Sequence, residues 1–163
     1  MPKALHAWYS LRDLEALGMR QAELHGELQL RQLPRFTQLL HSADGSVKAT
    51  LRFRQPATGW VSLSLQYEAA VELTCQRCLE PMTAHLTATT ELALLESSAL
   101  ENRVPEGTEP VLLEDDRTKL AELVEDELIV GLPLVPKHER PEDCGSLARL
   151  ISEPAAPRDA AKP

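Results

Sequence analysis

Cys75 and Cys78 flank a Gln-Arg pair, a Cys-x-x-Cys spacing that lets two thiolates reach one metal ion from a tight turn. A tetrahedral zinc site needs two further ligands, and His138 and Cys144 are the convincing candidates downstream. All three cysteines of the chain would then bind the ion, and the C-terminal segment would be fastened to the turn. The sequence therefore indicates a candidate zinc site with three thiolates and one imidazole.

Two other interpretations of these cysteines remain open. The spacing alone slightly favours three small buried apolar side chains beside a surface histidine. A thioredoxin-like redox pair would need the motif to open a helix in a βαβ unit, whereas here it falls between two predicted strands. A disulfide framework is not indicated, because the cysteine count of 3 is odd and we expect a cytoplasmic protein with reduced thiols.

Acidic residues follow one side of a predicted amphipathic helix at about 118–130. We expect Glu122, Glu125 and Asp126 on its solvent face and Glu127 nearer the core. Such carboxylates most often form only a solvated helix face, and their alternative use is as a docking surface for a basic partner. A metal-dependent nuclease that uses Glu125 and Asp126 is the less favoured interpretation.

No catalytic residues are predicted. The chain lacks P-loop, dinucleotide-binding, His-Glu-x-x-His and Gly-x-Ser-x-Gly motifs, and its 5 histidines are scattered. We therefore expect a protein that is not an enzyme and has no small-molecule substrate.

Lys48, Arg52 and Arg54 share one side of a predicted strand, and Arg77 lies between the two cysteines of the turn. These cations could contact RNA, and direct RNA binding through this face is the alternative function. No aromatic residues interleave them, so a base-stacking platform is not indicated. Such a strip is most often only the solvated face of a sheet.

The charge of the chain is unevenly distributed. The net charge is −8, with eight Lys or Arg and five Asp or Glu in residues 1–54 and nine and twenty in residues 55–163. An acidic chain repels phosphate at long range, which argues against a simple non-specific nucleic-acid binder. A basic protein partner suits the acidic part better.

Alternating apolar residues predict the strands of the fold. They occupy every second position at 22–30, 47–53, 61–75 and 86–94. Short helices are predicted after Ser10 and at 34–41, and a polar loop at 97–116. We expect one α+β domain over 1–150, with a curved antiparallel sheet of about four strands, short N-terminal helices and one amphipathic C-terminal helix. Residues 151–163 are Pro/Ala-rich and are predicted to be a disordered tail.

Neither a secretory signal nor a membrane span is indicated. The first residues lack a long apolar stretch and a small-residue cleavage site, and no apolar run approaches the roughly 20 residues that a span needs. We therefore expect a cytoplasmic protein without a membrane partner.

Three segments together resemble the YceD family of large ribosomal RNA subunit accumulation proteins. They are VELTCQRCLEPM at 71–82, LVEDELIVGLPLVP at 123–136, and the following His138 and Cys144. The order and rough spacing of these motifs match over about residues 10–145. The family's defining residues carry over onto Cys75, Arg77, Cys78, Glu125, Asp126, Glu127, Pro133, Pro136, His138 and Cys144.

The resemblance implies a role in the synthesis, processing or stability of 23S rRNA. It also implies a genetic link to a small ribosomal protein of the large subunit, encoded nearby. It supplies no catalytic mechanism. The expected function is therefore a non-enzymatic assembly or adaptor protein, with a basic ribosomal protein or processing factor as partner and pre-23S rRNA contacted directly or indirectly.

Overall fold

A computed structural model of the chain describes residues 2–54 and 59–145. The helices are α1 (Pro2–His6), α2 (Leu11–Met19), α3 (Pro34–Thr37) and α4 (Leu120–Val130). The strands are β1 (Trp8–Ser10), β2 (Glu23–Gln29), β3 (Ser46–Arg54), β4 (Val61–Thr74), β5 (Pro81–Leu95), β6 (Glu109–Leu112) and β7 (Arg117–Lys119). The predicted tail at 151–163 and the domain end at 150 lie outside the described residues.

The predicted α+β class is confirmed. In the described part of the chain, the main sheet has the order β2-β3-β4-β5-β6, and β1 and β7 form a separate two-stranded ribbon. The four predicted strands are β2 to β5, and each pairs antiparallel with its neighbour. The alternating apolar side chains of β3 and β4, from Val47 to Phe53 and from Val61 to Leu73, lie on one face and are buried, which is why alternation predicted these strands correctly.

The segment at 97–116 is more ordered than the predicted loop. It contains β6, which pairs parallel with the end of β5 from Leu92↔Glu109 to Leu95↔Leu112. Four residues with Pro110 among them give too short a pattern to identify a strand from sequence. The sheet therefore has a fifth strand, with the opposite pairing direction to the rest.

Helix α4 covers the apolar face of the sheet. Its Leu120, Leu123, Val124 and Leu128 are at most 5% exposed. Each buried side chain of this kind contributes roughly 1.5–3 kcal/mol relative to an exposed one. The N-terminal helices complete the core through Leu5, Leu14 and Phe36, which are fully buried.

Helix α2 begins as predicted at Ser10. The Ser10 side chain accepts a hydrogen bond from the Asp13 N–H, and the Asp13 carboxylate accepts one from the Ser10 N–H at 2.8 Å. Helix α3 is a single turn that begins at Pro34, shorter than the predicted 34–41. No helix among residues 2–54 and 59–145 is long and apolar enough to cross a membrane.

Candidate metal centre

The turn between β4 and β5 presents Cys75 and Cys78 at the end of the long hairpin. The turn is closed by hydrogen bonds from Cys75 N–H to the Glu80 carbonyl at 2.9 Å and from Leu79 N–H to the Cys75 carbonyl at 2.8 Å. Leu79 adopts a positive φ of 63°, which brings the chain back into β5. A non-glycine residue in this region stores about 1–3 kcal/mol of strain, so the turn is held in place by its surroundings.

The segment after α4 returns to this turn. The Gln76 N–H donates to the Pro136 carbonyl at 2.8 Å, and the Gly145 N–H donates to Glu80 Oε2 at 3.1 Å. Pro133 and Pro136 prevent α4 from continuing into this segment. These contacts bring His138 and Cys144 to the hairpin tip.

The four sequence-predicted ligands meet in space. The ligand atoms of Cys75, Cys78, His138 and Cys144 all lie within 4.8 Å of one another. His138 Nδ1 is 3.5 Å from Cys78 Sγ and 3.6 Å from Cys144 Sγ. A tetrahedral zinc ion with Zn–S near 2.3 Å and Zn–N near 2.0 Å requires an S···N separation of about 3.5 Å. The spacing of the cluster therefore suits a metal ion of this size.

The surroundings of the cluster favour the thiolate form at Cys75. The three cysteines are at most 3% exposed and form no disulfide. Burial raises the pKa of Cys75, but the backbone N–H groups of His138, Cys78 and Arg77 point at its sulfur and lower the pKa to about 5. Burial raises the pKa of Cys144, and the hydrogen bonds that its S–H donates to the sulfurs of Cys78 and Cys75 act in the same direction. One sulfur is therefore prepared as an anion, and a bound cation would draw the proton from the others.

Arg77 lies beside the cluster and not simply in solvent. Its Nη1 is 3.6 Å from Cys144 Sγ, and its backbone N–H lies 3.4 Å from Cys75 Sγ. Three thiolates and a neutral imidazole around a divalent ion leave one negative charge, and the guanidinium lies where it offsets that charge. Arg77 thus has a structural partner that competes with its predicted contact to RNA.

Glu125 does not lie on the solvent face, and that expectation is wrong. It is 3% exposed, and Oε1 accepts hydrogen bonds from the backbone N–H groups of Arg35 at 2.7 Å and Phe36 at 3.0 Å. Its Oε2 accepts from the Arg35 guanidinium at 3.1 Å. The carboxylate satisfies the first N–H groups of α3, a role that was invisible without knowing that α3 and α4 are adjacent. Both oxygens are occupied, which also removes the basis for a nuclease that uses Glu125 with a metal.

The other acidic residues of α4 are distributed between solvent and core as predicted. Asp126 is 54% exposed and contacts Arg35 Nη1 at 2.6 Å, while Glu122 is 42% exposed and contacts Lys119 at 3.1 Å. Glu127 is buried and accepts a 2.6 Å hydrogen bond from the Thr90 hydroxyl. Burial raises the pKa of Glu127, and the nearby carboxylates of Glu109 and Asp126 act in the same direction.

The basic strip of β3 is largely neutralised by its neighbours. Arg52 is paired with Glu23 at 3.0 Å. Lys48 lies directly between Glu27 on β2 and Glu68 on β4. Of the three cations, Arg54 alone faces no acidic cross-strand partner in the described ladders, since it lies opposite Ser62. The sheet therefore presents alternating charges here, not a positive field for RNA.

A groove of about 610 Å³ between α4 and the segment that carries β6 and β7 was not predicted. At its edge the Trp8 ring, 52% exposed, lies under Lys119 Nζ at 4.4 Å and under Arg117 at 4.7 Å. These are cation–π contacts, and they follow from the pairing of β1 with β7 that places Trp8 opposite Lys119. A lone exposed tryptophan near the N-terminus gave no signal of that pairing.

Fold and cluster together define a small α+β protein with a Cys₃His cluster, of a geometry that could hold a metal ion, at the end of a β-hairpin. The family model described as large ribosomal RNA subunit accumulation protein YceD matches residues 63–154, more than half of the chain. The chain therefore belongs to the YceD family.

A curated relative agrees with this assignment. A large ribosomal RNA subunit accumulation protein YceD from Haemophilus influenzae is 29% identical over 120 residues, which cover 73% of this chain and 69% of the relative. No solved structure matches the chain. The family-model match at residues 63–154 includes Cys75, Cys78, all of α4, His138 and Cys144. It therefore contains all four of the predicted metal ligands.

Proposed function

We propose that this protein is a cytoplasmic ribosome-biogenesis factor that supports the accumulation of 23S rRNA without catalysing a reaction. Membership of the YceD family is the observation that carries the proposal, since the family is described by its effect on large-subunit rRNA. Its mode of action would be that of an adaptor, which holds a basic ribosomal protein or processing factor near the precursor RNA. The net charge of −8 supports a basic protein partner over direct RNA binding.

The acidic docking surface does not include Glu125, because that side chain is buried. Its members are the carboxylates that border the groove, namely Glu114, Asp115, Glu122 and Asp126. The arginines and the lysine of the same groove are engaged already: Arg35 is paired with Glu125 and Asp126, Lys119 with Glu122, and Arg117 lies over the Trp8 ring. A partner that brings lysines or arginines would compete for these carboxylates, so its association should be fast and strongly weakened by salt.

The Cys₃His cluster is proposed to hold a structural zinc ion. Zinc is favoured because the donor set is soft, tetrahedral in spacing and fully supplied by the protein, which leaves no open position for substrate. Cys75, Cys78, His138 and Cys144 would hold the ion, and the ion would supply a cross-link between the hairpin and the segment after α4. The adaptor surface and the metal site would then have separate roles, docking and stability.

The biogenesis role is tested in cells that lack the gene. We expect the 23S to 16S ratio and the fraction of large subunits on a sucrose gradient to fall, and the intact protein to restore both. Replacement of Glu122 and Asp126 by lysine should fail to restore them and should abolish salt-sensitive capture of large-subunit proteins. Replacement of Glu101 and Glu106, exposed acidic residues away from the groove, makes the same charge change and should restore both. Normal rRNA ratios in the deletion strain would overturn the proposal.

A further inference from the structure

Strand β5 has a long open edge. It pairs with β4 over its whole length, from Thr74↔Pro81 to Val61↔Leu94, but with β6 only from Leu92 onward. Residues 81–91 are therefore the outermost strand of the sheet on that side, within the part of the chain that the structure describes. Exposed strand edges are templates for pairing with another chain.

The backbone groups that point to this open edge can be identified. The Leu95 carbonyl accepts from Leu113 N–H beyond β6, so odd-numbered residues point away from β4. The Glu80 carbonyl accepts from Cys75, so even-numbered residues point towards β4. The register is unbroken between these two points, and the alternation holds throughout. The outward residues are Thr83, His85, Thr87 and Thr89, all exposed, and no other group in the described ranges hydrogen-bonds to their backbone.

Between its two ends this edge carries little of the protection that edge strands usually have. Pro81 lies at its start and Glu91 at its end, but residues 82–90 contain no Lys, Arg, Asp or Glu, and His85 is their one titratable side chain. The opposite edge strand β2 carries Glu23 and Glu27 besides His25. Charged side chains on an edge strand prevent unwanted pairing, so the low charge of residues 82–90 leaves this part of β5 open to pairing.

The end of the open edge leads into an apolar groove with an acidic border. The groove has a volume of about 500 Å³ and lies between β6 and α4, with Leu92, Ile129 and Val130 in its wall. Glu109, Asp126 and Glu127 supply its acidic groups, and its single cation Arg35 is paired with Glu125 and Asp126. A strand that continued the line of β6 along β5 would pass this groove.

We propose that the β5 edge binds an extended, basic segment of the partner protein by β-strand addition, with an apolar side chain in the groove. The outward N–H and C=O groups would supply the main-chain hydrogen bonds, and the acidic border would select lysine or arginine. This inference rests on the proposed adaptor function and specifies how the partner is held. Strand addition shares Asp126 with the carboxylate surface around Glu122, but its main-chain hydrogen bonds belong to β5 alone, so variants at Thr87 test it separately.

The test uses the full-length protein and a synthetic decapeptide of alternating lysine and valine. The peptide should slow amide hydrogen exchange at Thr83, His85, Thr87 and Thr89 by at least tenfold. A glutamate–valine decapeptide should not. Thr87→Pro removes one outward N–H and should weaken peptide binding at least tenfold, while Thr87→Val keeps that N–H and should bind as the wild type does. His25→Pro makes the same change on the opposite edge and should have no effect.

A second pair of variants does not depend on the tolerance of the fold for proline. Thr87→Lys should weaken binding of the lysine–valine peptide, and Thr87→Glu should strengthen it. Equal binding by both variants, or slow exchange of the four amides before peptide is added, would overturn the proposal. The latter result would mean that a second copy or the chain itself already covers the edge. If Thr87→Pro leaves capture of large-subunit proteins unchanged, the strand-addition inference fails and the adaptor function stands.

Discussion

Glu125 and Arg35 join α4 to α3 through one carboxylate that accepts two backbone N–H groups and a guanidinium. Glu125 is buried, whereas the Arg35 side chain remains 52% exposed. The carboxylate therefore contributes mainly by satisfying the start of α3, and the guanidinium closes the contact from the solvent side.

Glu125→Ala should lower the free energy of unfolding by about 2–3 kcal/mol, because hydrogen bonds to a charged group are lost and buried N–H groups are left unsatisfied. Asp126→Ala removes the exposed partner of the same arginine and should cost less than about 1 kcal/mol. Urea denaturation of both variants measures the difference. Equal losses would show that the pairing with Arg35, and not the cap on α3, is what matters.

Removal of the metal should loosen the C-terminal segment. We expect purified protein to contain about one zinc ion per chain, and His138→Ala or Cys78→Ser to lose most of it by elemental analysis. The melting temperature should fall with a chelator in the wild type and be insensitive to chelator in these variants. His85→Ala, at an exposed histidine on β5, is the matched control and should keep its zinc. Wild-type protein free of metal after growth in zinc-sufficient medium would contradict the assignment.

The raised pKa of Glu127 predicts a pH-dependent stability. A carboxyl group whose pKa is higher in the folded state than its ordinary value of 4.5 binds its proton more tightly when folded. Its ionisation therefore destabilises the fold as pH rises from about 4.5 through the folded pKa, and the penalty is fully present above that value. Glu127→Gln should gain stability relative to wild type across this window and show little difference below it.

Chemical denaturation at a series of pH values checks this prediction. Gln can still accept the hydrogen bond from Thr90, so the comparison isolates the charge. Glu122→Gln changes the same charge on the exposed side of α4 and should stay within about 0.5 kcal/mol of wild type at neutral pH. A Glu127→Gln variant less stable than wild type at neutral pH would refute the argument.

Gly131 is required by a close contact with Tyr67. A Cβ at Gly131 would collide with the Tyr67 hydroxyl, while the backbone φ of −74° is acceptable for any residue. Gly131→Ala should therefore cost about 1–3 kcal/mol through steric overlap alone. In a Tyr67→Phe background the obstructing oxygen is absent, and the same substitution should cost clearly less. A double-mutant cycle by urea denaturation gives the coupling, and strict additivity would exclude the clash.

Much of the fold could be predicted because its signals are local. Every second residue of β4 is apolar and buried, and the Ser10 cap needs only Asp13 nearby. The burial of Glu125 could not be predicted in this way, because it depends on Arg35, which is 90 residues away in the chain. Sequence periodicity assigned Glu125 to a solvated face, and the hydrogen bonds between its carboxylate and α3 overrode that assignment.

The candidate site shows the same division. Residue types and spacing selected all four candidate ligands, but only the docking of residues 136–145 on the hairpin shows that they meet. The acidic neighbours of Lys48 likewise depend on strand register, since Glu27 and Glu68 come from the strands on either side. Composition showed where charges occur along the chain, and only pairing showed which of them cancel.

The separation of the ligands along the chain has a consequence for biosynthesis. Cys78 and His138 are 60 residues apart, so at about 5–20 residues per second the ribosome adds the second half of the ligand set some 3–12 s after the first. During that interval the nascent chain contains Cys75 and Cys78 but lacks His138 and Cys144, so it could not supply all four ligands of the proposed zinc site. Capture of the ion would thus report that translation has passed Cys144, and chains that stop earlier would lack this closing step.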